Sequence, residues 1–172
     1  MNIKELLNDK TQKPKEKTEL LSRAIVTGEI NIEVLLDFAK AAKDSDKATC
    51  IEALEFATKE NATVANRAIF QFAIASLSSK APRVKWESAK VIGNTAKLFE
   101  KDLGDAIAGL LQNTEDKGTV VRWSAAFALG EIIKLKTKHN KELIPATEAI
   151  MEREEKNSIK KIYQAAFKKA KL

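Results

Sequence analysis

Side chains able to do chemistry are few in this 172-residue chain, and they stand apart from one another. The only histidine, His139, lies in the polar loop KTKHNK. A general base or a metal-bound imidazole needs partners, and no cysteine, second histidine or carboxylate cluster shares that loop. His139 therefore reads as a solvated loop residue. The only cysteine, Cys50, falls in the helical stripe Cys50, Ala53, Leu54, Ala57. A nucleophilic thiol needs a neighbouring base or cation, and the sequence points to none, which leaves a small core residue. Glu152, Glu154 and Glu155 offer carboxylates to a metal, but Lys156 follows directly and the spacing fits no ion-binding loop. They read as a solvated helix face. The six glycines form no phosphate-cradling loop of standard spacing. The expectation is a non-enzymatic chain with no catalytic residue, no cofactor and no metal site.

What remains are side chains that bind rather than react. Trp86, Trp123 and Arg122 stand out, because tryptophan and arginine are enriched at binding hot spots and aromatic faces stack on bases. The plainer expectation is that both indoles pack inside the fold, between neighbouring structural units.

The elements that carry these tryptophans are two copies of one helix. Residues 119–135, TVVRWSAAFALGEIIKL, echo residues 82–98, PRVKWESAKVIGNTAKL. Val84-Lys85-Trp86 aligns with Val121-Arg122-Trp123, Ala89 with Ala126, and Gly93 with Gly130, at a constant offset of 37. A fixed period of this size is the signature of a stacked-repeat protein. At ~100° per residue, Val121, Ala125, Ala128, Leu129 and Ile132 share one apolar face. Trp123, Phe127 and Gly130 form a second stripe nearly opposite. Arg122 holds one polar flank, and Ser124, Glu131 and Lys134 the other. A helix apolar on nearly all sides must be covered by several neighbours, as stacking provides. Each recurring glycine costs its helix ~1 kcal/mol relative to alanine, which suggests close backbone approach at that repeat position.

The run V-R-x-S-A-A-x-A-L-G, Val121 to Gly130, resembles the second helix of a HEAT repeat. The preceding DAIAGLLQNTEDKGT resembles that family's first helix and turn, with Asp116 and Arg122 at its usual Asp and Arg positions. The copy at 84–93 keeps the Val, the basic residue, the small residues and the Gly, but places Lys90 where the second copy has Phe127. The resemblance covers residues 81–135. It implies an all-α fold, a right-handed α-α superhelix of the HEAT-like, armadillo-like solenoid type. The family uses it mainly for protein–protein binding and in some members for nucleic acid. HEAT-like alkylpurine DNA glycosylases use Trp, Asp and Arg on a concave basic surface, which Trp86, Trp123 and Arg122 superficially resemble. Here Lys90 and Phe127 stand in the turn after each Trp, with no carboxylate at that spacing, so such an enzyme is disfavoured.

Elsewhere the pattern is helical throughout, with no alternating strand and no hairpin turn signal. Helices are expected over 2–8, 15–27, 30–42, 46–61, 63–79, 82–98, 102–114, 119–135, 142–155 and 158–171, which makes about five antiparallel pairs. Gly28 ends the second, Asn31 caps the third, Ser45 or Asp46 caps the fourth, and Pro145 lies near the start of the ninth. The whole chain, 1–172, reads as one solenoid domain, with 1–28 an N-terminal cap pair and 141–172 a C-terminal one.

Composition bounds the function. The chain is 44% hydrophobic and 31% charged, enough for a core and a solvated surface. No apolar run approaches the ~18 residues of a membrane helix, and the N-terminus lacks a signal peptide's apolar core. One cysteine forms no internal disulfide, and the cytoplasm is the expected location. The net charge of +6 resides wholly in Lys156, Lys160, Lys161, Lys168, Lys169 and Lys171; residues 1–155 hold 24 basic and 24 acidic residues.

Two functions compete. The first is a protein-interaction scaffold whose unidentified protein partner lies on the concave face. It would touch Trp86, Glu87, Lys90, Asn94 and Lys97 from one repeat and Arg122, Trp123, Ser124, Glu131 and Lys134 from the next. That strip mixes both signs of charge, which suits a protein better than a phosphate backbone. The second is nucleic-acid binding through the C-terminal lysines, whose affinity would fall steeply with salt. A solubilising cap is the plainer reading of those lysines. An anionic membrane surface fits less well, because the last helix needs its apolar face for the stack.

Overall fold

The two Trp-bearing helices lie side by side, as successive copies in a stacked array must. In the computed structural model, which describes residues 1–171, ten helices follow one another. They are α1 (Ile3–Asn8), α2 (Pro14–Val26), α3 (Ile32–Ala41), α4 (Asp44–Glu60), α5 (Arg67–Ser76), α6 (Pro82–Thr95), α7 (Leu103–Asn113), α8 (Thr119–Lys134), α9 (Asn140–Arg153) and α10 (Asn157–Ala170). Among the described residues there is no strand. Consecutive helices pair as five hairpins. The second helices, α2, α4, α6, α8 and α10, pack in that order as one continuous layer. Of the first helices, α3, α5 and α7 pack successively behind it, and α1 and α9 back the two ends.

The core runs between these layers. Leu21, Leu35, Ile51, Leu54, Ile69, Phe70, Ile92, Leu110, Leu129, Ile132 and Tyr163 are all buried. Val121, Ala125, Ala128, Leu129 and Ile132, the face expected to be apolar, are buried together. The Phe70 and Phe99 rings stack with centroids 4.7 Å apart.

Local chemistry sets the helix ends. Asn2, Asn31 and Asn66 each accept backbone N–H bonds through their side chains at the heads of α1, α3 and α5. Pro14 and Pro82 occupy the first turns of α2 and α6, where no N–H is needed. Gly28, at φ +74°, takes the left-handed conformation just past α2.

Several boundaries differ from expectation. The apolar stretch 63–79 is not one long helix. Asn61 accepts from Thr63 N to hold a short 3-10 turn over Ala62–Val64, and Asn66 restarts the chain as α5. Leu77 is buried beyond the end of α5. Ser45 and Asp46 do not cap α4, which begins at Asp44, two residues before the expected start, with Lys43 in the cap position. The first repeat helix stops at Thr95 and passes into a 3-10 turn, Ala96–Leu98. Pro145 sits inside α9, beyond its first turn.

Candidate functional site

The residues left facing outward from the second-helix layer recur at helical spacing. On α6 they are Arg83, Trp86, Lys90, Asn94 and Lys97, the last just beyond the helix; on α8 they are Val120, Trp123, Phe127, Glu131 and Lys134. Trp86 is half-buried, and its indole N–H donates to Glu87 Oε1 at 2.7 Å. Trp123 is 39% exposed, and Val120, three residues before it, is 52% exposed. The Trp123 and Phe127 rings stack at 6.1 Å, inclined by 5°. Phe127 in turn packs on Gly93: a Cβ there would lie 2.5 Å from the ring. The expected packing between repeats thus holds for Phe127 and the glycine, while much of the Trp123 indole is open to solvent.

Three residues expected on this face are not on it: Glu87, Ser124 and Arg122, the last of which is turned to Glu154 at the other end of its helix. Glu87 is 3% exposed and Ser124 is 1% exposed. Both lie where their helices press against neighbours, and a helix wheel alone does not show which polar flank a neighbour covers. Glu87 belongs instead to a charge network under the surface. Its Oε2 lies 2.7 Å from Lys90 Nζ, which also lies 3.6 Å from Oε2 of the buried Glu55. Burial pushes the Glu87 carboxyl upward, against the hydrogen bonds from Lys90 and Trp86. One layer over, Arg83 donates to Glu52 Oε2 at 2.6 Å, and Thr18 donates to the same oxygen at 2.9 Å. Asn94 donates to Glu55 O and Thr58 Oγ1, both at 3.2 Å, and Glu131 pairs with Lys134.

Two open grooves lie on this side. One, of about 490 Å³, runs between the ends of α4, α6 and α8, lined by Lys59, Glu60, Asn94, Lys97, Phe127 and Glu131 among others. The other, of about 690 Å³, runs between α2 and α4 past Arg23, Val26 and Phe56, and shares Lys59 and Glu60 with the first.

Along the opposite ends of α6 and α8 the repeats are tied by ion pairs at one repeated position. Lys85 Nζ reaches Asp116 Oδ2 at 2.8 Å, and Arg122, its counterpart 37 residues on, reaches Glu154 with Nε at 2.9 Å from Oε2. The Asp and Arg implied by the HEAT resemblance are therefore not paired by their side chains. Arg122 Nη1 donates to the backbone oxygen of Asp116 at 2.9 Å. Hydrogen bonding to Glu154 raises the Arg122 guanidinium, and the same contact holds Glu154 below the usual carboxylate range. Glu154, 7% exposed, is thus not part of a solvated acidic face, and Arg122 is a structural tie.

The C-terminal lysines sit on α10, which turns Ile159, Tyr163 and Ala166 inward. Lys156, Lys161, Lys168, Lys169 and Lys171 are exposed and Lys160 is half-buried; among the described residues none forms an ion pair. Cys50 is fully buried, and burial pushes its thiol up to about 12. His139 is half-buried at the head of α9. Among the described residues no group of three or more His, Cys, Asp or Glu is placed to hold a metal ion, and no helix is long and apolar enough to cross a membrane.

No protein-family model matches this chain, and no curated protein matches it. Solved structures do. It is similar to an engineered protein at TM-score 0.73 and 17% identity, over 99% of this chain and 47% of that one. The chain thus spans about half the length of that protein. It is similar to a designed armadillo repeat protein at TM-score 0.70 and 14% identity, over 98% of this chain and 80% of that one. A second designed armadillo repeat protein, solved in complex with the peptide (KR)4, aligns at TM-score 0.53 and 15% identity, over 98% and 97% of the two chains. The fold is an armadillo- and HEAT-like repeat solenoid, all-α and superhelical.

Proposed function

We propose that this chain is a non-enzymatic scaffold that binds an extended protein segment along the free face of its second-helix layer, the concave side of the solenoid. The observation that carries this reading is the apolar strip Val120, Trp123 and Phe127. Its two rings stack on one another at the surface, beside an open groove. A large aromatic left 39% exposed on a ladder of repeated positions is the anchor type found at binding hot spots. The similar designed protein held with a peptide supports a peptide as the class of partner. The contact set is Trp86, Lys90, Asn94, Lys97, Val120, Trp123, Phe127, Glu131 and Lys134. The α1–α2 and α9–α10 hairpins act as caps of a single domain.

The test is selection of a displayed random-peptide library against the protein, followed by anisotropy titration of the enriched peptides. Trp123→Ala is expected to weaken binding by about tenfold or more, as loss of an aromatic anchor does. Enriched peptides indifferent to Trp123→Ala and Lys97→Glu would refute the assignment of this face.

A second reading rests on a separate observation, the exposed and unpaired lysines of α10. Nucleic-acid binding through Lys156, Lys160, Lys161, Lys168, Lys169 and Lys171 predicts salt-sensitive anisotropy of a labelled duplex or single strand, lost when they are neutralised. No binding at micromolar protein and low salt removes that reading.

A further inference from the structure

Charge on the free face of the second-helix layer is not balanced in the way its composition suggests. Four of its acids are occupied: Glu52 is held by Arg83, Glu55 and Glu87 share Lys90, and Glu131 holds Lys134. Glu55 and Glu87 are also buried beneath the surface. Each of these carboxylates already has a cation within the layer, so its charge is largely neutralised before any partner arrives. The cations left over have no such partner. Arg23 lines the groove between α2 and α4, Lys59 lines both grooves, and Lys97 lines the one beside Phe127. Among the described residues none of these three forms an ion pair, and all three are exposed.

A fourth follows from register. At an offset of 38, the buried Val121, Ala125, Ala128 and Ile132 of α8 match the buried Ile159, Tyr163, Ala166 and Ala170 of α10. That alignment puts the exposed Lys161 at the position of Trp123 on the next helix. Against these four cations stand the exposed Glu60 at the junction of the grooves and Glu19 in the α2–α4 groove, the latter already paired with Lys15 at 3.6 Å.

We propose that the segment bound on this face is acidic and carries large apolar side chains, the reverse in charge of (KR)4. This rests on the peptide-binding reading above. The apolar side chains would lie on Val120, Trp123 and Phe127, and the carboxylates would reach Lys97, Lys59 and Lys161 on either side. Complementary charge of this kind steers encounter and selects among partners, while the aromatic contacts hold the complex.

The experiment uses two fluorescein-labelled octapeptide pools, one alternating Asp or Glu with Leu or Phe, the other alternating Lys or Arg with Leu or Phe, together with (KR)4 and a single-stranded oligonucleotide. Each is titrated by anisotropy against the wild-type chain, Trp123→Ala, the double variant Lys97→Glu/Lys161→Glu, and Lys141→Glu as a control on the outer layer. All substituted positions are exposed, and a far-ultraviolet melt of each variant verifies the fold. The expected result is binding of the acidic pool that weakens with salt, falls about tenfold or more in Trp123→Ala and in the double variant, and is unchanged in Lys141→Glu. Binding of the basic pool or (KR)4, lost in Trp123→Ala, overturns the charge assignment and leaves the peptide-binding reading standing. Silence of every peptide overturns both. Binding of the oligonucleotide alone, sensitive to Lys161, overturns both in favour of the nucleic-acid reading.

Discussion

Glu87 and Glu154 are both buried carboxylates, and their surroundings push them in opposite directions. Glu87 is raised, first by burial. Glu154 is lowered, first by its hydrogen bond with Arg122. Asp116 is lowered too, because its bonds from Lys85 and Gly118 outweigh burial. A carboxyl lowered in the folded state adds stability above its unfolded pKa and loses it as pH falls through the folded value. Wild type should therefore exceed Glu154→Gln in stability at neutral pH, with the gap closing as the solution is acidified below the usual carboxylate range. A raised carboxyl works the other way: its contribution is present at low pH and lost as pH rises through the folded value. Glu87→Gln should accordingly gain on wild type as pH rises. Urea melts of the three proteins across the acid range check both slopes. Arg122→Ala strands Glu154, 7% exposed, without its cation, and should cost about 2–3 kcal/mol in the same melts. The buried Cys50 thiol should stay inert to a thiol reagent until the chain unfolds.

At the scale of the helix, the two repeat glycines make a matched pair with opposite outcomes. At Gly93 an added Cβ meets the Phe127 ring at 2.5 Å and Ala128 Cα at 3.2 Å, so Gly93→Ala must displace part of α8. It should destabilise by about 1–2 kcal/mol and disturb the Trp123 stack. At Gly130 the nearest atoms, Ala166 Cβ and Ile162 Cγ2, stand at 3.4 Å, an ordinary contact. Gly130→Ala should stabilise α8 by about 0.5 kcal/mol through the better helix propensity of alanine. In the core of the same helix, Leu129→Ala or Ile132→Ala should cost ~2–5 kcal/mol. Thermal or urea melts compare all four variants.

The helices and their pairing were legible because a 37-residue offset and helical periodicity act on local residues; of the close approach expected at both glycines, the structure shows it at Gly93 and only an ordinary contact at Gly130. The break at Asn66 was not, since the apolar pattern runs through it and only the bond that Ile69 N donates to the Asn66 side chain reveals the restart. Nor was the burial of Glu87 and Ser124, which depends on where adjacent helices press. The Arg122–Glu154 tie joins residues 32 apart across a hairpin. Its faint sequence signal was the basic residue at 85 and again at 122, each followed by an acid about one repeat later.

At the scale of the molecule, a stack in which each hairpin touches mainly its neighbours leaves one face of its second-helix layer free along its whole length. That geometry suits an extended segment, and the apolar strip and grooves lie along it. Lys156, Lys168 and Lys171 lie at the end of the array, away from the register positions that Lys161 and Lys169 take, so neutralising these three should leave both peptide affinity and melting temperature unchanged. The chain's only two tryptophans, Trp86 and Trp123, both belong to the free face, so intrinsic emission reports occupancy of that face directly. The decisive measurement is tryptophan emission during titration with a peptide that binds by anisotropy. Binding on this face predicts a saturable change in emission that tracks the anisotropy curve and shrinks in Trp123→Phe. Full binding with emission unmoved would place the partner elsewhere and contradict the proposed function.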